Sequence, residues 1–387
     1  MVRINPIYAE METTVFEHMS GLARQFGAIN LGQGFPDEQG PPELIEAAAR
    51  ALREKSNQYP PGAGLPELRD AIRDFYSRRQ GLEFSREQVI VTSGATEAIA
   101  ASVLALVDPG DEVILFQPAY DAYAPMVRRA GGVAVSVPLS PPHWRYPINK
   151  LEQAITARTK LLMFNDPLNP AGTVAGEAEL AQIARLCVRH GLTAVCDEVW
   201  EDVRFDGLVH RSLLDFPGMS DRAVKIGSAG KIFGLTGWKV GWMCAAPEMA
   251  EALGRAHQFL TYATPPALQW AVAEGLAKPQ AWFAEQRANW AASRRRLSRG
   301  LTEADFDVLP NAATWFLCVD LAASGIALTD REFSERAVRE AGVASIPVSA
   351  LFEGEAPAGV VRFCFAKGDA VLDEAAERLA AFRRALA

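Results

Sequence analysis

The chain has 387 residues, of which 49% are hydrophobic and 22% charged, and its formal net charge is −8 at pH 7. This composition is that of an ordinary globular protein with enough residues for two or three domain-sized units. The acidic balance gives no support to nucleic-acid binding, which usually leaves a basic footprint. The N-terminus lacks the apolar core of a signal peptide, and no apolar run is long enough to cross a bilayer. We therefore expect neither a nucleic-acid nor a membrane partner.

The five cysteines and five histidines are scattered along the chain. The cysteines lie mostly inside apolar runs, which is typical of reduced, buried thiols in a cytoplasmic protein. No pair of these cysteines or histidines has the spacing of metal ligands, so the sequence predicts no metal site.

The N-terminal part of the chain alternates helices with loops. Apolar residues at helical spacing predict a helix from Thr13 to Phe26, and two more follow over Pro42–Lys55 and Pro66–Arg78. Glycines and prolines punctuate the segments Asn30–Asp37 and Asn57–Gly64, which we therefore expect to be loops.

From Gln88 onward, short apolar runs alternate with amphipathic helices. The runs are Val89–Thr92, Glu112–Phe116, Val133–Val137, Lys160–Asn165, Thr193–Cys196 and Ala223–Ile226, with Val240–Cys244 as a further candidate strand. This alternation predicts an α/β fold whose large domain has a mainly parallel seven-stranded sheet flanked by helices. Ligands of such sheets bind beyond the carboxyl ends of the strands, so the residues just after each run are the functional candidates.

The alternation weakens from about Ala281, where a long charged helix leads to a smaller α+β unit. This unit contains the strand-like runs Thr314–Val319 and Val360–Phe365 and is expected to recruit the N-terminal segment. We therefore expect a large domain over residues 46–280. A small domain would be built from residues 1–45 and 281–387, with a cleft between the two.

The segment Ser228–Lys239 follows the sixth apolar run and contains two cations among small and aromatic residues. A partly desolvated lysine amine loses its proton more easily and becomes nucleophilic, so Lys231 is a candidate for imine chemistry. Lys239, Ser228 and nearby backbone N–H groups could then hold a phosphate. The combination suggests that Lys231 carries pyridoxal phosphate, although most lysines between a strand and a loop are solvated surface groups.

Other strand ends and loops carry the remaining groups that this cofactor needs. The helix start at Gly94-Ala95-Thr96 offers N–H donors to a phosphate, and Asp197 is placed to keep a pyridine nitrogen protonated. Asn169 could donate to the ring hydroxyl, and Tyr120 could face the ring. Arg362, inside an apolar strand, is costly to bury unless it meets an anion such as a substrate carboxylate. Each feature alone could be a helix cap or an ion pair, and the joint occurrence carries the hypothesis.

The same residues belong to an ordered set of motifs that extends from near residue 14 to the C-terminus. The motifs are Asn30–Asp37, Asn57–Tyr59 with Gly64, Ser93–Thr96, Asn165–Gly172, Asp197–Val199, Ser228–Lys231, Thr236–Trp242 and Arg362–Phe365. With them the chain resembles the fold-type I pyridoxal phosphate aminotransferases of class I/II. It is most similar to the branch that contains kynurenine, glutamine and methionine aminotransferases.

The resemblance implies a cofactor-binding role for most of the candidate residues. Lys231 would hold pyridoxal phosphate through an imine bond, and Asp197 would pair with the pyridinium. Asn169 would hydrogen-bond to the ring hydroxyl, and Tyr120 would stack on the ring. The implied phosphate ligands are Gly94, Ala95, Thr96, Ser228 and Lys239.

The resemblance also implies how substrate and partner subunit contribute. Arg362 would bind the substrate α-carboxylate, assisted by Asn169 and the backbone of Gly34. The active form would be a homodimer in which Tyr59 reaches the phosphate of the neighbouring subunit. Tyr262 would touch the substrate side chain there.

Two positions depart from the common pattern of the family. Trp200 stands three residues after Asp197, where many members have a tyrosine that donates to the ring hydroxyl, so the tuning of the cofactor at this position is open. Lys239 stands where many members have arginine, although this branch often has lysine.

The implied reaction is a ping-pong transfer of an amino group between an amino acid and a 2-oxo acid. A large neutral donor such as methionine, glutamine, an aromatic amino acid or kynurenine is favoured, because no second cation is evident for a side-chain carboxylate. The aromatic candidates for the substrate pocket are Phe16, Tyr120, Tyr123, Trp200, Tyr262 and Phe352. A pyridoxal phosphate C–S β-lyase and a catalytically idle regulatory homologue remain as alternatives. A nicotinamide dehydrogenase is disfavoured, because Ser93–Thr96 lacks the three-glycine fingerprint.

Overall fold

The computed structural model describes residues 4–9 and 11–386 of the chain. Its α-helices are α1 (Pro6–Ala9), α2 (Val15–Phe26), α3 (Pro42–Glu54), α4 (Pro66–Gln80), α5 (Ala95–Leu106), α6 (Tyr123–Arg129), α7 (Ile148–Ala154), α8 (Glu177–His190), α9 (Ala229–Ile232), α10 (Pro247–Leu260), α11 (Pro266–Leu276), α12 (Gln280–Glu303), α13 (Asp330–Arg336) and α14 (Asp369–Leu386). Its strands are β1 (Ile29–Asn30), β2 (Val89–Thr92), β3 (Glu112–Gln117), β4 (Val133–Pro138), β5 (Thr159–Asn165), β6 (Thr193–Asp197), β7 (Ala223–Ser228), β8 (Gly241–Cys244), β9 (Asp307–Val308), β10 (Phe316–Asp320), β11 (Val343–Ala344), β12 (Ile346–Pro347) and β13 (Val360–Cys364). The elements predicted from the sequence are present, with ends displaced by a few residues.

The large sheet has seven strands in the order β2-β8-β7-β6-β5-β3-β4. The paired strands from β7 to β4 run parallel, and β8 is antiparallel to both of its neighbours. The predicted mainly parallel seven-stranded sheet is therefore confirmed. Because β8 runs in the opposite direction, its first residue, Gly241, lies at the edge where the other strands end.

Both faces of the large sheet are buried, which explains why its strands read as nearly continuous apolar runs. In β2, for example, Ile90 packs into one hydrophobic cluster while Val89 and Val91 pack into another. All five cysteines are buried and unpaired, as their positions in apolar runs predict.

A second sheet belongs to the C-terminal part of the chain. It has four antiparallel strands in the order β12-β13-β10-β9. Next to it, Ile29 and Asn30 of β1 pair in parallel with β11, which brings the N-terminal segment onto the C-terminal unit. Among the described residues, no helix is both long and apolar enough to cross a membrane.

We propose a division into a large domain over residues 46–280 and a small domain over residues 1–45 and 281–387. The pairing of β1 with β11 supports assigning the N-terminal segment to the small domain. Helix α3 crosses the first boundary and packs on α11, so a break just before Pro42 agrees better with the packing. Residues 1–3, 10 and 387 lie outside the described residues.

Candidate active site

A cavity of about 380 Å³ lies beyond the carboxyl ends of the parallel strands. It is lined by all of the predicted site residues except Tyr59 and Tyr262: Gly34, Gly94, Ala95, Thr96, Tyr120, Asn169, Asp197, Trp200, Ser228, Lys231, Lys239 and Arg362. Because the strand ends share one edge of the sheet, segments that are far apart in the chain meet around this space.

Lys231 lies in the short helix α9, directly after β7. Its Nζ atom is 4.8 Å from the centroid of the Trp200 ring and 5.5 Å from that of Trp315. Burial, helped by the nearby cations Arg362 and Lys239, lowers the pKa of the Lys231 amine from 10.5 to about 8. The amine is thus partly unprotonated near neutral pH, as a nucleophile must be.

Asp197 is the last residue of β6, and its side chain is only 6% exposed. Its Oδ2 atom accepts a hydrogen bond from the Tyr123 hydroxyl at 2.5 Å, while its Oδ1 atom has no partner among the described residues. Burial raises the pKa of this carboxyl, and the bonds from Tyr123 and the Val199 backbone oppose the rise. A buried carboxylate oxygen without a donor fits the protonated ring nitrogen of pyridoxal phosphate.

Two asparagines connect the Asp197 strand end to the arginine. The Asn165 side chain donates to the Asp197 backbone carbonyl at 2.8 Å and accepts from the Asn169 N–H at 3.0 Å. The Asn169 Oδ1 atom in turn accepts from Arg362 at 3.0 Å. The Asn169 side-chain NH2 therefore points away from its arginine contact and is the group that would donate to a ring hydroxyl.

Arg362 lies in the middle of β13 and is only 1% exposed. Its guanidinium donates to Asn169 and to the Gly32 carbonyl, and it stacks 3.9 Å from the centroid of the Phe316 ring. No carboxylate of a described residue lies within 4.0 Å of it, and its Nε atom has no partner. Burial lowers the pKa of Arg362 to about 10. A buried cation in this state fits a carboxylate ligand.

The predicted phosphate cradle forms where α5 begins. Gly94 has a φ of +82°, and the first N–H groups of α5 have no carbonyl partner within the helix. A Cβ atom at Gly94 would lie 3.2 Å from Lys239 Nζ, and one at Gly241 would lie 2.7 Å from the Gly94 carbonyl carbon. Glycine at both positions therefore lets the Lys239 loop approach the start of the helix. N–H groups, a cation and the Ser228 hydroxyl that lines the cavity form a set that fits a phosphate.

Aromatic side chains form two walls of the cavity. The Tyr120 hydroxyl is 3.4 Å from the Thr96 hydroxyl, and its ring contacts Tyr123 edge-on at 5.7 Å. Trp200 packs edge-on against Trp315, with ring centroids 5.0 Å apart. The tryptophan in place of the usual tyrosine thus supplies a wall of the cavity and lies closer to Lys231 than Trp315 does.

Tyr59 and Tyr262 lie outside the cavity of their own chain. Tyr59 is 86% exposed, and its ring contacts that of Tyr262 edge-on with centroids 5.4 Å apart. Nearby in the sequence, Phe259 is also 86% exposed. Neither tyrosine can act on the cavity of the subunit that carries it in this arrangement.

Some functional contacts could not be seen in the sequence, and some predicted ones are absent. Of the pocket aromatics expected from the sequence, Tyr123, Tyr262 and Phe352 do not line the cavity. Phe352 packs against a hydrophobic cluster instead, and the Tyr123 hydroxyl donates a hydrogen bond to Asp197. Asn165 was missed as a positioning residue, although it opens the same Asn-Asp-Pro loop that carries Asn169.

A buried network of charges lies next to the Asp197 strand end. The Lys225 ammonium, on β7, contacts the carboxylates of Glu198 and Glu201, the latter at 2.8 Å. His210 binds Glu198 at 2.7 Å, so three possible metal-ligand atoms lie within 4.8 Å of one another, a grouping that spacing did not indicate. Lys225 bridges the two carboxylates of this grouping.

Comparison with known proteins places this site in a family. The family model for aminotransferase class I and II matches residues 27–379. The chain is 44% identical to the probable N-succinyldiaminopimelate aminotransferase DapC of Mycobacterium tuberculosis, over 95% of each chain. It is 38% identical to the methionine aminotransferase of Escherichia coli over 96% of each chain. It is 33% identical to the kynurenine–oxoglutarate transaminase of Dictyostelium discoideum, over 95% of this chain and 93% of the other.

Solved structures agree with this relationship. The structure of N-succinyldiaminopimelate aminotransferase from Mycobacterium tuberculosis superimposes with a TM-score of 0.95 at 43% identity, covering 98% of this chain and 100% of the other. YbdL from Escherichia coli, whose structure identified a methionine aminotransferase function, gives a TM-score of 0.95 at 37% identity with the same coverage. The chain therefore belongs to aminotransferase class I and II and is a pyridoxal phosphate-dependent aminotransferase.

Proposed function

We propose that this aminotransferase moves the amino group of a large neutral amino acid to a 2-oxo acid in a ping-pong reaction. The observation that carries the proposal is the set of cations around the cavity. These are Lys231, Lys239 and Arg362, and we assign the first two to the cofactor. Among the described residues that line the cavity, Arg362 is then the cation left for the substrate, so it takes the α-carboxylate and no second cation of this lining remains for a side-chain carboxylate.

The cofactor supplies an aldehyde for the substrate amine and a ring that withdraws electrons. Asp197, whose Oδ1 atom has no partner among the described residues, would hold the proton on the ring nitrogen. Asn169 and Tyr120 would orient the ring, while Gly94–Thr96, Ser228 and Lys239 would bind the phosphate. Trp200 closes the side of the cavity where other family members have a tyrosine.

Lys231 is the acid–base group of the proposed mechanism. With cofactor and substrate bound, its Nζ atom would be the group that removes the proton from the substrate Cα atom. A pKa of about 8 suits this work, because the amine can both accept and return a proton near neutral pH.

The cavity walls support a neutral substrate side chain. Phe16, Trp200 and Phe316 present aromatic surface, and Asp121 adds a carboxyl group to the lining. A second substrate carboxylate beside Asp121 would meet like charge in a partly buried site.

We further propose that the active form is a homodimer in the cytoplasm. The exposed pair Tyr59 and Tyr262, with exposed Phe259 nearby in sequence, forms an aromatic surface of the kind that protein interfaces bury. In the dimer, Tyr59 reaches the phosphate of the neighbouring subunit and Tyr262 approaches its substrate. Unpaired buried thiols support a reducing compartment.

A second candidate donor is a longer amino acid with a distant carboxylate. A groove of about 1050 Å³ shares Asp121 with the cavity and is lined by the cations Arg129 and Arg331 as well as by the carboxylates Glu12, Glu335 and Glu353. The relative named as a probable N-succinyldiaminopimelate aminotransferase makes that compound the donor to compare.

The test is a panel of donors, including methionine, glutamine, phenylalanine, kynurenine, aspartate and N-succinyldiaminopimelate, each with several 2-oxo acids. We expect the highest kcat/KM for a neutral donor, with Lys231→Ala as the inactive control. A preference for N-succinyldiaminopimelate that Arg129→Gln or Arg331→Gln removes would favour the second candidate. Formation of pyruvate and ammonia without a new amino acid would instead indicate a β-lyase.

A further inference from the structure

A buried histidine lies between the start of α5 and the loop that carries Tyr59. His257, in the last turn of α10, is 1% exposed. Its Nδ1 atom is 2.6 Å from a Glu97 carboxylate oxygen, and its Nε2 atom is 2.8 Å from the Gly62 carbonyl oxygen. A carbonyl oxygen can only accept, so Nε2 carries a proton.

The hydrogen bonds around Glu97 define the charge of this pair. The second carboxylate oxygen of Glu97 accepts from the backbone N–H of Ser93, which can only donate, and the first also accepts from the Thr261 hydroxyl at 2.8 Å. These contacts fit an ionised Glu97 and an imidazolium at His257 that donates from both nitrogens. Burial opposes both charges, but their contact raises the pKa of His257 and holds that of Glu97 below its ordinary value.

This ion pair joins three segments: the turn that opens α5 at the proposed phosphate site, and the two exposed segments that carry Tyr59 and Tyr262. Glu97 holds the Ser93 N–H in the turn that opens α5, where the cradle forms. His257 holds Gly62, three residues after Tyr59 in the same loop. The Thr261 hydroxyl bonds Glu97 to the turn that carries Tyr262, whose ring contacts that of Tyr59. These bonds make the pair a direct physical link between the cradle of one subunit and the surface it presents to the next.

We propose that Glu97 and His257 are positioning residues that couple phosphate binding in one subunit to the presentation of Tyr59 to the neighbouring subunit. The inference rests on the proposed function, in which Tyr59 acts across a homodimer interface. If either partner is removed, the other is left as a buried charge without compensation, and both segments lose their common anchor. Because linkage is reciprocal, the cofactor should tighten the dimer by the same factor by which dimerisation tightens cofactor binding.

The experiment compares His257→Gln and Glu97→Gln with the wild-type full-length protein after removal of the cofactor. Dissociation constants are measured for pyridoxal phosphate and for pyridoxal, which lacks the phosphate. The subunit dissociation constant is measured by sedimentation with and without pyridoxal phosphate. We expect the dissociation constant of pyridoxal phosphate to rise about tenfold in both variants, while that of pyridoxal stays within about twofold of its wild-type value. The ratio of the subunit dissociation constants without and with pyridoxal phosphate should fall towards one in both variants.

The matched control is Glu112→Gln, another buried carboxylate with charged and hydroxyl partners. It lies at the start of β3, at the sheet edge opposite the cavity. If His257→Gln does not fold, Thr261→Val removes a single hydrogen bond to Glu97. It should change the dissociation constant of pyridoxal phosphate and the effect of the cofactor on the dimer in the same direction, by a smaller factor. Equal weakening for pyridoxal and pyridoxal phosphate, or unchanged linkage, would overturn the inference.

A further variant separates this inference from the dimer proposal. Tyr59→Phe removes the hydroxyl that we place on the partner's phosphate. If Tyr59→Phe leaves phosphate-dependent affinity unchanged, the role of Tyr59 in the proposed function is wrong. If it weakens affinity while His257→Gln and Glu97→Gln do not, the coupling through the ion pair is wrong and the proposed function stands.

Discussion

The Tyr123 hydroxyl donates to Oδ2 of Asp197 at 2.5 Å, while Oδ1 of the same carboxylate has no partner in the described part of the chain. Burial raises the pKa of Asp197, and the Tyr123 bond is the largest effect that opposes the rise. Tyr123 therefore helps to keep Asp197 ionised while leaving its other oxygen for a cationic ring nitrogen.

Tyr123→Phe should lower kcat by about ten- to a hundredfold, because a hydrogen bond to a buried charge contributes about 1.5–3 kcal/mol. The change is measured as kcat with saturating cofactor and substrates. Tyr76→Phe is the matched control, since Tyr76 is a buried phenol that donates to Glu201 at 2.9 Å away from the cavity. Wild-type kcat in Tyr123→Phe would contradict this role.

Arg362→Lys should lower kcat/KM by about a hundredfold, mainly through KM, because an ammonium cannot make the two parallel bonds of a guanidinium. The comparison uses an amino acid inhibitor and the corresponding amine without the carboxylate. The amine should bind both enzymes with similar affinity. An equal loss of affinity for the amine would show that Arg362 supports the fold of the cavity rather than the carboxylate.

Lys231 should react with a small amine-directed reagent at a rate that rises through pH 8 in the cofactor-free protein, because its pKa is lowered to about 8. The rate is followed by peptide mass spectrometry, with the exposed Lys160 as the internal reference.

The lowered pKa of Lys231 means that the unfolded chain binds more protons than the folded one, so this residue increases the free energy of unfolding as the pH rises from about 8 towards 10.5. Lys231→Met should abolish that contribution.

Lys225→Met should destabilise the protein by about 3–5 kcal/mol in urea unfolding, because Glu198 and Glu201 would remain buried without their cation. Lys160→Met, at an exposed site, should change the free energy of unfolding by less than about 0.5 kcal/mol.

The pKa of Glu198 is lowered to about 2, chiefly by Lys225 and His210 against the effect of burial. Its contribution to stability is therefore present above about pH 4.5 and lost as the pH falls towards 2. A wild-type stability that is constant over this range would contradict the assignment.

The sequence by itself determined the fold class and most of the cavity lining. Strand periodicity and turn residues are local signals, and parallel strands bring their carboxyl ends to one edge. These signals are enough to predict that Lys231 and Asp197 share one site, whereas Arg362 is assigned to that site by the resemblance to the aminotransferases. A cation inside an apolar strand, such as Arg362, also indicates a binding site, because burying it is costly unless it meets an anion.

Only the tertiary structure decided which side chains partner these residues. Tyr123 lies 74 residues from Asp197 and Glu97 lies 160 from His257, so no local pattern connects either pair. Phe352 reads as a pocket residue by composition, yet it packs against a hydrophobic cluster outside the cavity. The reason is that hydrogen-bond partners and cavity walls depend on how helices pack across the sheet to within about an ångström, and hydrophobic periodicity carries no information at that scale.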